Sequence, residues 1–406
     1  MFDFVLRDAR IAGRTEPVDI GVSAGTIAAI APALPDGPPE RSADGRFVCT
    51  GFTETHIHLD KAGILDRCPI CEGTLQEAVR LTAAAKAGFA ADDVHARAKR
   101  VVEKAITHGT LRMRSFVETD PRAGLRSFEA MVQLKRDYAA LIDLDLCAFA
   151  QEGLTQEMAT FDLIVAALEG GATSVGGCPY TDPDPVRHIG LILDLAERFG
   201  VPADFHIDFD LDPENSDLPT LIEATRARGL GGRVSVGHAT KLSALAPEAL
   251  DRTADRLAEA GIAVVVLPAT DLFLNGRSAE RLKPRGVAPA ERLARRGVTT
   301  AVATNNVLNP FTPYGDASLI RMANLFANVA QLASDEELSL AFDMVSAQAS
   351  RLLGLENGLA VGAPADLVVL DAPDSAAAVR EIAPPLFGFK RGRLVFERPP
   401  AKLFGP

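Results

Sequence analysis

Short apolar or β-branched runs recur through the middle of the chain, each followed by a stretch whose apolar positions fall at helical spacing. The runs are Phe52–His58, Leu111–Glu118, Leu144–Gln151, Ser174–Pro179, Ala203–Asp208, Val234–His238, Ala263–Thr270 and Thr299–Asn305. Between them lie amphipathic segments such as Asp92–Thr107, Pro185–Phe199, Leu218–Arg228 and Pro247–Ala260. After the first gap the runs begin about thirty residues apart, the length of one βα unit. Eight such units in succession predict a closed (β/α)8 TIM barrel rather than an open sheet. Helices over Asp316–Leu332 and Glu336–Leu353 complete its outer layer.

The two ends read differently. Phe2–Ala33, Val361–Leu370 and Phe387–Phe396 alternate in polarity and carry Gly turns. Neither end alone has enough strands to bury a face, so a small β-sandwich assembled from both termini is expected. The division is then residues 1–50 with 357–406 as the sandwich and residues 51–356 as the barrel.

Composition narrows the function classes. In 406 residues, 42 Lys and Arg against 54 Asp and Glu leave a net charge of −12, which argues against nucleic-acid binding. The longest apolar run, Ile262–Pro268, is too short to span a bilayer, and the N-terminus lacks the basic-then-apolar order of a signal peptide. A cytoplasmic protein with no membrane partner is expected. The five cysteines are scattered, and the lone Cys68-Pro-Ile-Cys71 has no second pair to complete a zinc site.

The sharpest chemical signal is Thr55-His56-Ile57-His58-Leu59-Asp60. Residues two apart on a strand share a face, so His56 and His58 at the C-terminal end of the first barrel strand can chelate one ion. His206 ends the fifth run and His238 the sixth, so four of seven histidines gather on the face where barrel enzymes place their sites. His95, His108 and His188 fall on helices or loops and read as surface residues.

A barrel with HxH on strand one and single histidines on strands five and six resembles the amidohydrolase superfamily, in particular its cytosine deaminase branch with the triazine-ring aminohydrolases. The resemblance also rests on Glu54 to Lys61, Ala148–Gly153, Leu274-Asn275-Gly276-Arg277 and Asn309–Gly315. It implies a hydrolase that cleaves a C–N bond of a small nitrogen heterocycle with one divalent ion, zinc or alternatively iron. His56, His58 and His206 would be ligands, His238 would polarise water or substrate, and Gln151 would bond the ring amide. Family members often form homo-oligomers.

The chain departs from that pattern twice. Asn305 stands where the family carries the strand-eight Asp, and Phe209 where deaminases carry a Glu after the strand-five His. Asp208, two after His206, is the expected substitute proton carrier, with Asp60 and Asp271 behind it. Lys61, Arg112, Arg114, Lys241 and Arg277 near the mouth would suit a carboxylate or imide anion. Lys61, Phe209, Asp271 and Arg277 are thus the expected substrate contacts beside Gln151. The rival readings are a barrel that only binds a ligand, or a metal lyase that does not hydrolyse.

Overall fold

The computed structural model describes residues 2–355, 358–399 and 401–405. The ends and the later junction of the expected two-part division (residues 1, 356, 357 and 406) lie outside them. The chain opens with β1 (Phe4–Ala9), β2 (Val18–Ser23), β3 (Thr26–Ala31) and β4 (Glu40–Ser42), a sheet in the order β3-β2-β1-β4. Next, β5 (Phe47–Thr50) crosses to a second sheet and pairs antiparallel with β14 (Leu367–Leu370), followed outward by β15 (Pro385–Lys390) and β16 (Arg393–Glu397). Leu6, Ile20, Val22 and Ile27 from one end share a core with Val48, Leu367, Val369 and Phe389, so the sandwich needs both termini. The strand expected from Val361 begins only at Leu367, because 361–363 form a turn and bend and Pro364 makes a single bridge to Thr26.

Between β5 and β14 in the chain comes an eight-stranded parallel barrel of β6 (Phe52–Ile57), β7 (Thr110–Glu118), β8 (Asp143–Ala150), β9 (Ser174–Gly177), β10 (Ala203–Ile207), β11 (Val234–His238), β12 (Ile262–Val266) and β13 (Thr300–Val302). Its strands are buried on both faces, which is why they read as nearly continuous apolar runs. Closure falls at the mouth, where Asn305 N donates to His56 O at 2.8 Å and His58 N donates to Asn305 O at 2.8 Å. The seventh run stops early: Leu267 precedes a short helix, Pro268–Leu274, whose first residue is a proline already fixed at helical φ. The last expected helix is split into Asp335–Asp343 and Ala347–Leu352. The second piece packs beneath β6 and β13, with Ser350 Oγ 2.7 Å from Thr53 Oγ1.

Buried charge joins the two parts. Lys390 of the sandwich donates to Asp143 (2.5 Å) and Asp366 (2.8 Å), and Arg112 of β7 reaches Asp366 at 3.0 Å. The five cysteines are free, and no helix among the described residues is long and apolar enough to cross a membrane.

Candidate metal and substrate site

Glu54 and His56 on β6 and His58 just after it alternate onto one face, and β10 and β11 bring His206 and His238 to the same mouth. The ring centroid of His206 lies 4.6 Å from that of His56, 5.2 Å from that of His58 and 5.2 Å from that of His238. Ligand atoms of His56, His58 and His206 lie within 4.8 Å of one another. Both nitrogens of His56 and His58, and Nε2 of His206, are buried without a hydrogen-bond partner. Such orphaned polar atoms are costly unless something binds them. Burial first, and neighbouring positive groups second, hold these three imidazoles well below their ordinary pKa. They are therefore neutral, the form that ligates a cation. A divalent ion held by three imidazoles fits this donor set.

His238 is built differently. Its Nδ1 is 2.6 Å from Asp271 Oδ1, and Asp271 also accepts from Leu267 N at 3.2 Å. A carboxylate at Nδ1 leaves Nε2 as the free acceptor. Asn305 Nδ2 stands 3.4 Å from that Nε2, while Asn305 Oδ1 is buried without a hydrogen-bond partner. His238 and Asn305 adopt φ of 70° and 64°. Left-handed backbone is uncommon outside glycine and gathers at functional sites.

A small cavity opens onto these groups. Its polar walls are His58, His206, His238, Lys61, Gln151, Thr270, Asn305 and Asn306, and its apolar walls include Phe209, Tyr180 and Phe311. Phe209 meets His238 edge-on at 4.5 Å between centroids, and Phe311 lies under the Lys61 ammonium at 4.4 Å. Lys61 Nζ donates to Glu118 Oε1 (2.6 Å) and to Gln151 Oε1 (3.1 Å).

Several expected contacts lie elsewhere. Asp208 does not line the cavity: its φ of 53° breaks strand alternation, and its carboxylate accepts from Ser216 Oγ (2.5 Å) and Asp217 N (2.9 Å). Asp271 sits behind His238 and does not line the cavity. Asp60 is consumed by the backbone N–H groups of Lys61 and Glu118, both at 2.9 Å. Arg277 lies over Phe273 and donates to Glu72 O at 3.2 Å, outside the cavity. Arg112 and Arg114 point down the barrel to Asp366 and Asp204, and Lys241 donates to Glu214 O at 2.8 Å. Of the five cations expected near the mouth, Lys61 lines the cavity.

The sequence reading also missed a buried charge cluster. Lys86 Nζ donates to Glu118 (2.7 Å) and contacts Asp120 and Glu152, so its ammonium fills the place where those three carboxylates would hold a cation. Nothing in the sequence distinguishes Lys86 from an ordinary solvated lysine at a helix end. His188, expected at the surface, is buried and paired with Asp182 at 2.9 Å. Its spacing to Ile192 and Leu195 was the available signal, since it puts all three on one helix face.

Comparison with known proteins agrees with this architecture. A model of the amidohydrolase family matches residues 189–395. The chain is 30% identical to a pterin deaminase of Rhizobium rhizogenes, over 87% of this chain and 82% of that one. It is 27% identical to an N-isopropylammelide isopropyl amidohydrolase of Pseudomonas sp. (strain ADP), over 97% of each. A crystal structure of 5-methylcytosine deaminase from Klebsiella pneumoniae with 5-fluorocytosine superposes with a TM-score of 0.93 at 28% identity, covering 99% of both chains. Fold, family match and full-length relatives together place this chain in the amidohydrolase family, whose enzymes hydrolyse carbon–nitrogen bonds.

Proposed function

We propose that this protein is a metal-dependent hydrolase that cleaves a C–N bond of a small nitrogen heterocycle. The observation that carries the reading is the convergence of His56, His58 and His206 with buried, unpartnered ring nitrogens. These residues would hold one divalent ion, zinc or alternatively iron, with the unpartnered Asn305 Oδ1 as a neutral oxygen donor. When bound, such an ion makes water acidic enough to attack at neutral pH. The relatives named for a pterin, an N-isopropylammelide and a 5-methylcytosine support a planar ring as substrate.

In this reading His238 Nε2 takes a proton from the attacking water and returns it to the departing nitrogen. Asp271, held on Nδ1, fixes the tautomer and stabilises the imidazolium. Gln151 and Lys61 bind the ring edge, and Phe209, Tyr180 and Phe311 exclude water from its faces. An amide cannot carry a proton at neutral pH, so Asn305 leaves this work to His238. The test is ammonia or amine release from a panel of oxo- and amino-substituted heterocycles by zinc- or iron-loaded protein. Turnover that His238→Ala abolishes is expected, and no turnover of any ring by metal-loaded protein would contradict the reading.

One observation favours a second reading. Among the described residues no Asp or Glu lines the cavity. A barrel that binds a ring without hydrolysing it, or a metal lyase, needs no such carboxylate. Ring binding without product release would select it.

A further inference from the structure

We propose that the N-terminal mouth of the barrel, opposite the histidines, binds a small organic carboxylate, because a cavity there joins three arginines to an apolar wall. The cavity, about 340 Å³, lies where β10 to β13 begin, between Pro202, Arg233, Gly261, Thr299 and the end of the helix Ala347–Leu352. Spaces of about 300 Å³ and above hold small molecules. Its charged lining is Arg114, Arg233 and Arg351, and among the described residues no Asp or Glu lines it. The net charge of −12 gives no reason to expect such a spot. Barrel enzymes place catalysis at the opposite face, and no residue lines both cavities, so this is a separate site.

The three arginines arrive by different routes. Arg114, on β7, is 3% exposed, and its ion pair to Asp204 Oδ2 spans 3.6 Å, beyond good hydrogen-bond distance. Ser235 Oγ already donates to that oxygen at 2.5 Å, while Arg114 Nε and Asp204 Oδ1 are buried without partners. The guanidinium therefore keeps donor capacity that Asp204 does not use. Arg233 donates to the carbonyls of Val201 (3.0 Å) and Ala196 (3.4 Å), which orient its fork without neutralising it. Arg351 is exposed, and the carboxylate whose ionisation it favours is Asp343, outside the cavity lining. Among the described residues neither Arg233 nor Arg351 forms an ion pair. Guanidinium forks match carboxylate oxygens two by two. The rest of the wall includes Val234, Ile262, Ala263, Val298 and Leu352, which a bare inorganic anion would leave uncovered. A carboxylate carried on an apolar body satisfies both surfaces.

The test is calorimetric titration of benzoate, its neutral counterpart benzamide and inorganic phosphate into zinc-loaded protein and into Arg114→Gln and Arg351→Gln. Benzoate is expected to bind the parent at one site with a dissociation constant of about 1 mM or below, and benzamide about tenfold more weakly or worse. Both variants should lose benzoate affinity, by about threefold or more at the exposed Arg351 and by about tenfold at the buried Arg114. Arg351→Gln carries the test if Arg114→Gln fails to fold. Absence of saturable benzoate binding, equal binding of benzamide, or tighter binding of phosphate than of benzoate would overturn the proposal. So would an Arg351→Gln variant that titrates like the parent, which would put benzoate at the metal mouth instead.

Discussion

In the proposed reaction His238 depends on the carboxylate behind it. With Asp271 at 2.6 Å, Nδ1 would carry the proton and Nε2 would serve as the base. Asp271→Asn removes the charge and can present an N–H to Nδ1, which reverses the tautomer. Turnover should fall about a hundredfold or more, the range of general-base effects, with metal content unchanged by elemental analysis. Unaltered kcat would contradict the role given to Asp271. Burial raises the Asp271 pKa while the bond to His238 opposes it. At this scale the four histidines were legible because strand ends can be counted. Asp208 was misread because alternation assumes an extended strand, and its backbone turns left-handed at that residue. Asp271 was misread because Pro268 starts a helix one residue after Leu267, carrying it from the strand end to the back of His238.

At the scale of elements, the helix Leu75–Lys86 ends by driving a lysine into the barrel wall. Lys86→Met would leave Glu118, Asp120 and Glu152 without that counter-charge, and breaking one side of a buried ion pair costs about 3–5 kcal/mol. A urea midpoint lowered accordingly is expected, and an unchanged midpoint would show the cluster to be solvated. Desolvation opposes ionisation of Glu118, but Lys61 and Lys86 outweigh it and hold its pKa at about 2, below the ordinary 4.5. A depressed carboxylate contributes stability above its ordinary pKa and loses it as pH falls through the folded value. Melting temperature should therefore drop between about pH 4.5 and pH 2, and Glu118→Gln should flatten that part of the profile. The βα period made the strands readable, with Val234–His238 and the helices Pro185–Phe199 and Pro247–Ala260 found at their own bounds. The charge cluster was not readable, since pairing across 32 residues of sequence leaves no local pattern.

For the whole molecule, the sandwich and barrel share Phe47, Val368, Leu370 and Phe396 in one apolar cluster and the Lys390–Asp366–Arg112 chain of charge. That the termini meet followed from each having too few strands. The crossing of β5 into the C-terminal sheet did not, because nothing local to Phe47–Thr50 distinguishes the two possible partners. All of this scaffold serves one arrangement, three neutral imidazoles from β6 and β10 facing a common point. Elemental analysis of protein dialysed against zinc and then metal-free buffer tests it most directly, alongside His56→Ala and His206→Ala. One divalent ion per chain in the parent and its loss from both variants is the expected result. A parent that retains no ion, or variants that retain it as well as the parent, would contradict the account.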